Sequence, residues 1–121
     1  MKVFYIAGPY RAPTIHQIKR NIHNAEAIAM QIWENGHVAF CPHTNTAFFD
    51  GLADDQHFLS GTLEMLSRCD ALIPVPNWRG SAGTREEILY CYENQIPVYQ
   101  DITAVKKDQP LTERELLCWL G

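Results

Sequence analysis

The chain has 121 residues, of which 46% are hydrophobic, so it fits one domain with one core and is not disordered. Its net charge of −4 argues against a nucleic-acid polymer or an anionic membrane as partner, because both are bound through clustered Lys and Arg. A small phosphorylated ligand stays open, since one helix start and one or two arginines hold a single phosphate.

Residues 2–8, KVFYIAG, are apolar, β-branched and aromatic, and read as a buried strand that stops at Gly8-Pro9. The run is too short for a signal peptide or a membrane span. By alternation Tyr5 is half-buried within the strand, and its hydroxyl needs a partner. The turn Gly8-Pro9-Tyr10-Arg11 offers Arg11 to a phosphate and Tyr10 for stacking or hydrogen bonding; its alternative reading is a plain surface loop.

Thr14 is placed to cap the next helix, where Ile18, Ile22, Ala25, Ala29 and Ile32 recur at helical spacing on one face. Asn35-Gly36 ends it. Residues 37–41, HVAFC, form a second strand stopped by Pro42. A polar, turn-like stretch then runs from His43 to about Asp55, with His43, Asn45 and Asp50 beside an expected pocket. His43 suits a base or ribose edge, or simply bonds its own loop. The five histidines lack HxxxH or HExxH spacing, so no metal site is expected.

Phe58 to Cys69 reads as a helix, and residues 71–76, ALIPVP, as a third strand whose Pro74 implies an imperfect ladder. A helix over Thr84 to about Asn94, a fourth strand at 96–100, a polar segment and a short helix at 112–119 complete the chain. Strands alternating with helices imply βαβ units. The fold class is α/β, a Rossmann-like (flavodoxin-like) three-layer arrangement around a four- to five-stranded parallel sheet, with one domain over 1–121. Ligands of such sheets sit beyond the carboxyl ends of the strands. Cys41, Cys69, Cys91 and Cys118 form no CxxC pair; neither zinc nor disulfides are expected, and free thiols suit the cytoplasm.

Residues 79–87, RGSAGTREE, carry the chemistry. Gly80, Ser81 and Gly83 let a ligand approach the backbone, and Ser81 and Thr84 add hydroxyl donors at a helix start. Neither GxxxxGK[ST] nor GxGxxG is present. Glu87 has two readings: the end of a T-x-x-E capping box from Thr84, or a reacting carboxylate at the third helical position, kept ionised by the helix dipole.

The ordered set FYIAGPYR, CPHTN, LEMLSRCDALIPVPNW and SAGTREEI resembles the nucleoside 2-deoxyribosyltransferase-like superfamily, which includes nucleoside 2′-deoxyribosyltransferases and 2′-deoxynucleoside 5′-phosphate N-hydrolases. The likeness runs from residue 2 to about 100 and looks strongest to a small bacterial and phage branch. It implies N-glycosidic chemistry, with Glu87 as nucleophile, Tyr5 orienting it and Ser81 on a 5′-phosphate. It further implies docking on 81–84 with Arg11 or Arg85 helping, no cofactor, and a homodimer or larger assembly. Where the family carries an acid for the leaving base, Thr62 stands, with Glu64 or Asp55 as possible substitutes. Asp70, at the amino end of its strand, reads as structural. The rival reading is a non-catalytic nucleotide-binding or sensing module.

Overall fold

The computed structural model describes residues 1–121. Val3–Ala7 forms β1, the central strand, and β2 (Val38–Phe40) and β3 (Ala71–Pro74) flank it in parallel, in the order β2-β1-β3. A central strand is covered on both faces, so β1 carries a continuous apolar run rather than an alternating one. Tyr5 is therefore fully buried, not half-buried as alternation implies. Asp70 ties the strand starts together: the Val3 N–H donates to its carboxylate (2.8 Å) and its own N–H donates to the Val3 carbonyl (2.8 Å).

The sheet has three strands, not four or five. Residues 96–100 lie along β3 but form one isolated bridge, Leu72 opposite Val98. There the Leu72 N–H donates to the Pro97 carbonyl and the Tyr99 N–H to the Leu72 carbonyl, both at 2.9 Å. The next rung on either side would need an N–H from Pro74 or from Pro97, and proline has none. Two prolines thus cut a fourth strand down to a single contact.

The first helix, α1 (Ile15–Glu34), starts where Thr14 accepts from the Gln17 N–H and ends at Asn35 and Gly36, the latter at φ +82°. It buries Ala25 and Ile32 completely. α2 (Pro42–Asn45) is a single turn inside the stretch expected to be irregular; Pro42 opens it because the first helical position needs no N–H. α3 (Asp55–Leu66) begins three residues before the expected Phe58, since Asp54 accepts from the His57 N–H. α4 (Ala82–Asn94) begins at Ala82, not Thr84. The polar segment after residue 100 holds α5 (Ile102–Lys107), capped by Asp101, and α6 (Glu113–Leu120) opens on a true capping box from Thr112 and Glu115.

α1 packs on β1, β2 and α5, while α4 packs on β3, α3 and α6. Trp78, in a 3-10 turn after β3, is buried and stacks on Trp119 of α6 at 5.0 Å, so it packs rather than lining a pocket. No helix is long and apolar enough to cross a membrane. Gly8 closes β1 against β3, where a Cβ would overlap the Val75 side chain. Gly8→Ala is expected to lower stability by about 1–3 kcal/mol through overpacking, measured by denaturant unfolding.

Candidate functional site

A cleft of about 470 Å³ opens beyond the carboxyl ends of the three strands. Its walls are the loop after β1 (8–11), the segment after β2 (42–50), the start of α4 (80–84) and the inner face of α3. Tyr5 and Glu87 both line it.

Glu87 lies on the second turn of α4. Ser81 is the N-cap, its hydroxyl accepting from the Thr84 N–H (3.2 Å), which makes Thr84 already the third helical residue. The capping box from Thr84 to Glu87 therefore does not form. The dipole fades within the first turn, so it does not keep Glu87 ionised. Burial dominates instead and pushes the carboxyl up to about 7, with the Tyr5 hydrogen bond opposing it and Glu86 adding a smaller upward push. Tyr5 Oη donates to Glu87 Oε2, and burial raises the phenol so that it stays a donor. Only Oε2 has a partner, which leaves Oε1 for a ligand.

At the start of α4, Ser81, Ala82, Gly83 and Thr84 all line the cleft. Thr84 is buried, and its hydroxyl donates to Ser81 Oγ at 2.9 Å. Ser81 Oγ thus accepts twice, and its own proton is left to donate. The N–H groups of Ala82 and Gly83 have no intrahelical acceptor. Neither Gly80 nor Gly83 adopts a positive φ, and a Cβ on either would meet no protein atom; what the glycines leave open is space. Arg85 does not line the cleft. Its Nε donates to the Arg79 carbonyl (3.0 Å) and its guanidinium lies over Trp78, so it is not available to a phosphate docked there.

On the β2 side the polar groups hold one another. Tyr10 Oη accepts from the Phe48 N–H (2.8 Å) and donates to Asp50 Oδ1 (3.0 Å). Arg11 donates to Asp50 Oδ2 (3.4 Å) and to Asp55. Both residues line the cleft, with Arg11 turned toward these acids rather than toward the start of α4. His43 is buried and its Nε2 lies 3.0 Å from the carbonyls of Gly8 and Pro9. Two acceptors assign the ring proton to Nε2, so His43 fixes the turn after β1, and burial lowers its basicity. Gly8 and Pro9 also line the cleft; Asn45 does not. The turn of α2 carries Asn45 about 200° around from His43, into a smaller adjoining hollow with Phe40 and Met65.

The inner face of α3 presents Phe58, Leu59 and Thr62 to the cleft. Thr62 stands at the place where the resemblance implies an acid, and its hydroxyl donates to the Leu59 carbonyl at 3.0 Å. No carboxylate of α3 replaces it: Glu64 accepts from the Ser67 hydroxyl and forms an ion pair with Arg68, and Asp55 pairs with Arg11. Phe49, which the sequence leaves open between pocket wall and packing, lines the cleft, and Phe58 and Leu59 join it without having been expected there. The i, i+4 pair Phe58 and Thr62 was the available signal, hidden because α3 was expected to start at Phe58.

The chain belongs to the family described as a domain of unknown function, DUF7768, whose model matches residues 2–101. No curated protein matches it. Its fold is similar to that of a 2-deoxyribosyltransferase from the psychrotolerant bacterium Bacillus psychrosaccharolyticus, with TM-score 0.62 and 15% identity over 91% of this chain and 99% of that one. It is also similar to a conserved protein from Enterococcus faecalis V583, with TM-score 0.62 and 20% identity over 99% of this chain and 86% of that one. At these identities the likeness shows the α/β fold with its parallel sheet.

Burial of Glu87 has a measurable cost. The folded state holds its proton more tightly than the ordinary value of 4.5 allows. The stabilisation is full below about pH 4.5 and is lost as pH climbs to about 7. Glu87→Gln keeps the acceptor and removes the charge. It is expected to raise stability by up to about 3 kcal/mol at pH 8 and to change it little at pH 4, read as melting temperatures at the two values.

Proposed function

We propose that the chain cleaves or transfers the N-glycosidic bond of a nucleoside 5′-monophosphate, or of a deoxynucleoside, with Glu87 as the nucleophile. The observation that carries this reading is the buried Tyr5–Glu87 pair facing a cleft whose next wall is a helix start with unpaired donors. A 5′-phosphate on the amides of Ala82 and Gly83 and the Ser81 hydroxyl sits one helical turn from Glu87, the reach of a ribose. The likeness of the fold to a 2-deoxyribosyltransferase and the SAGTREEI resemblance support the same chemistry.

The reaction is a double displacement. Glu87 Oε1 forms a bond to C1′ as the bond from C1′ to the base nitrogen breaks, and the base leaves with the electron pair. Tyr5 holds Oε2 and orients the carboxylate. No carboxylate of α3 lines the cleft, so the departing base takes its proton from water. Water or a second base then attacks C1′ and releases Glu87. Serine at position 81 favours a nucleotide over a nucleoside. The reading includes a homodimer or larger assembly working in the cytoplasm, with no cofactor.

One observation favours a second reading. Thr62 is no acid, and a cleft that keeps its phosphate cradle without a leaving-group acid suits a nucleotide-binding or sensing module. Free base released from a panel of nucleoside monophosphates by wild type, and not by Glu87→Ala, supports the enzyme. Calorimetric binding without turnover supports the sensor.

Because the nucleophile must be ionised, turnover is expected to rise with pH through about 7. Tyr5→Phe removes the bond that favours the carboxylate. It should slow turnover and move that rise to higher pH; an unmoved pH–rate profile would discard the role given to Tyr5. Gly83→Ala meets no protein atom and should leave the melting temperature level or higher. Its KM for a monophosphate should rise at least about tenfold if the phosphate occupies that space.

A further inference from the structure

We infer that the base recognised in this cleft is guanine, read by Arg11 and Asp50; this rests on the nucleotide reading proposed above. The sheet order β2-β1-β3 sets the direction of a bound nucleotide. The phosphate cradle follows β3, Tyr5 lies on the central strand β1, and Asp50 follows β2. With the phosphate on α4 and C1′ at Glu87, the base extends toward the β2 side. The lining there is Phe49 and Phe58, which suit a base face, and the Arg11–Asp50 pair, which meets a base edge.

The pair is held in one arrangement. The Tyr10 hydroxyl accepts from the Phe48 N–H, so its own proton goes to Asp50 Oδ1. Arg11 takes Oδ2. An ionised carboxylate accepts about four hydrogen bonds, so about two sites remain, one on each oxygen. The pair therefore offers one donor, the Arg11 guanidinium, beside two acceptors on Asp50. The Watson–Crick edge of guanine is the complement: acceptor O6, donor N1–H, donor N2–H₂. Adenine and cytosine each place a ring acceptor beside their amino group, where it would face a carboxylate lone pair. Uracil and hypoxanthine supply a single N–H. A base that lacks one of those donors leaves an Asp50 acceptor facing it without a partner, and that difference is what discriminates between bases.

The test is calorimetric titration of the Glu87→Gln protein, which cannot turn over, with GMP, IMP and AMP and their 2′-deoxy forms. GMP is expected to bind roughly 10- to 100-fold tighter than AMP, with IMP between them, since it keeps N1–H and lacks the amino group. Adding Asp50→Asn, which offers one acceptor and one donor, should erase that preference and improve AMP. Equal affinities for the three bases would overturn the guanine assignment. So would an unchanged preference in a folded Asp50→Asn protein. In either case Glu87-dependent release of base by wild type would leave the glycosidic reading standing. If the second variant fails to fold, the comparison of GMP with IMP still decides. Binding of no nucleoside monophosphate removes the nucleotide reading and the guanine assignment together.

Discussion

A single hydrogen bond across the core, from the Tyr5 hydroxyl to Glu87, is the constraint to which the rest of the structure conforms. A carboxyl this deep is costly as an anion, and its neutral form is favoured until about pH 7. Keeping it there requires a donor rooted in something rigid. β1 supplies that, being buried on both faces and bonded to both neighbours. Tyr5 is the point where the sheet reaches through to the cleft.

The local sequence around residue 81 serves the same end. Capping at Ser81 sets the phase of α4, so that Glu87 falls on its buried face with Thr84 and Ile88, and Glu86 falls outside. A cap three residues later would have made Glu87 a first-turn residue occupied with its own amides. The serine hydroxyl that starts the helix is also the group with a proton left to give to a ligand. One residue thus sets the orientation of the carboxylate and presents a hydroxyl donor to the cleft beside it.

The cleft is polarised along the sheet. Donors gather at the α4 start, beyond β3, while the β2 side holds a network of Tyr10, Arg11, Asp50 and Asp55. These groups are partly exposed, so each pair adds little stability. Their effect is geometric: they hold the 8–11 turn against the 46–55 segment, as His43 does from below through the Gly8 and Pro9 carbonyls. A cleft framed this way meets a ligand with its polar atoms already placed, and preorganisation of this kind contributes to selectivity.

The sequence by itself determined the α/β class, the strands β1, β2 and β3 but not that the sheet stops at three, the helical face of α1 and the strand-end location of the cleft. Those properties follow from local patterns: apolar runs, helical periodicity, and Gly-Pro or capping signals at their ends. Tertiary structure decided the rest. Whether residues 96–100 became a full strand depended on Pro74 and Pro97 meeting across one ladder, which neither proline reveals alone. Whether Glu87 capped a helix or faced the cleft depended on which of Ser81 and Thr84 began α4. Its protonation followed from burial, a property of the packed layers and not of the RGSAGTREE loop. Asn45 turned away because a one-turn helix intervened, and Arg11 joined Asp50 and Asp55 across about 40 residues of chain. Periodicity reads along the chain; pairing, burial and charge are set by what the fold brings from elsewhere.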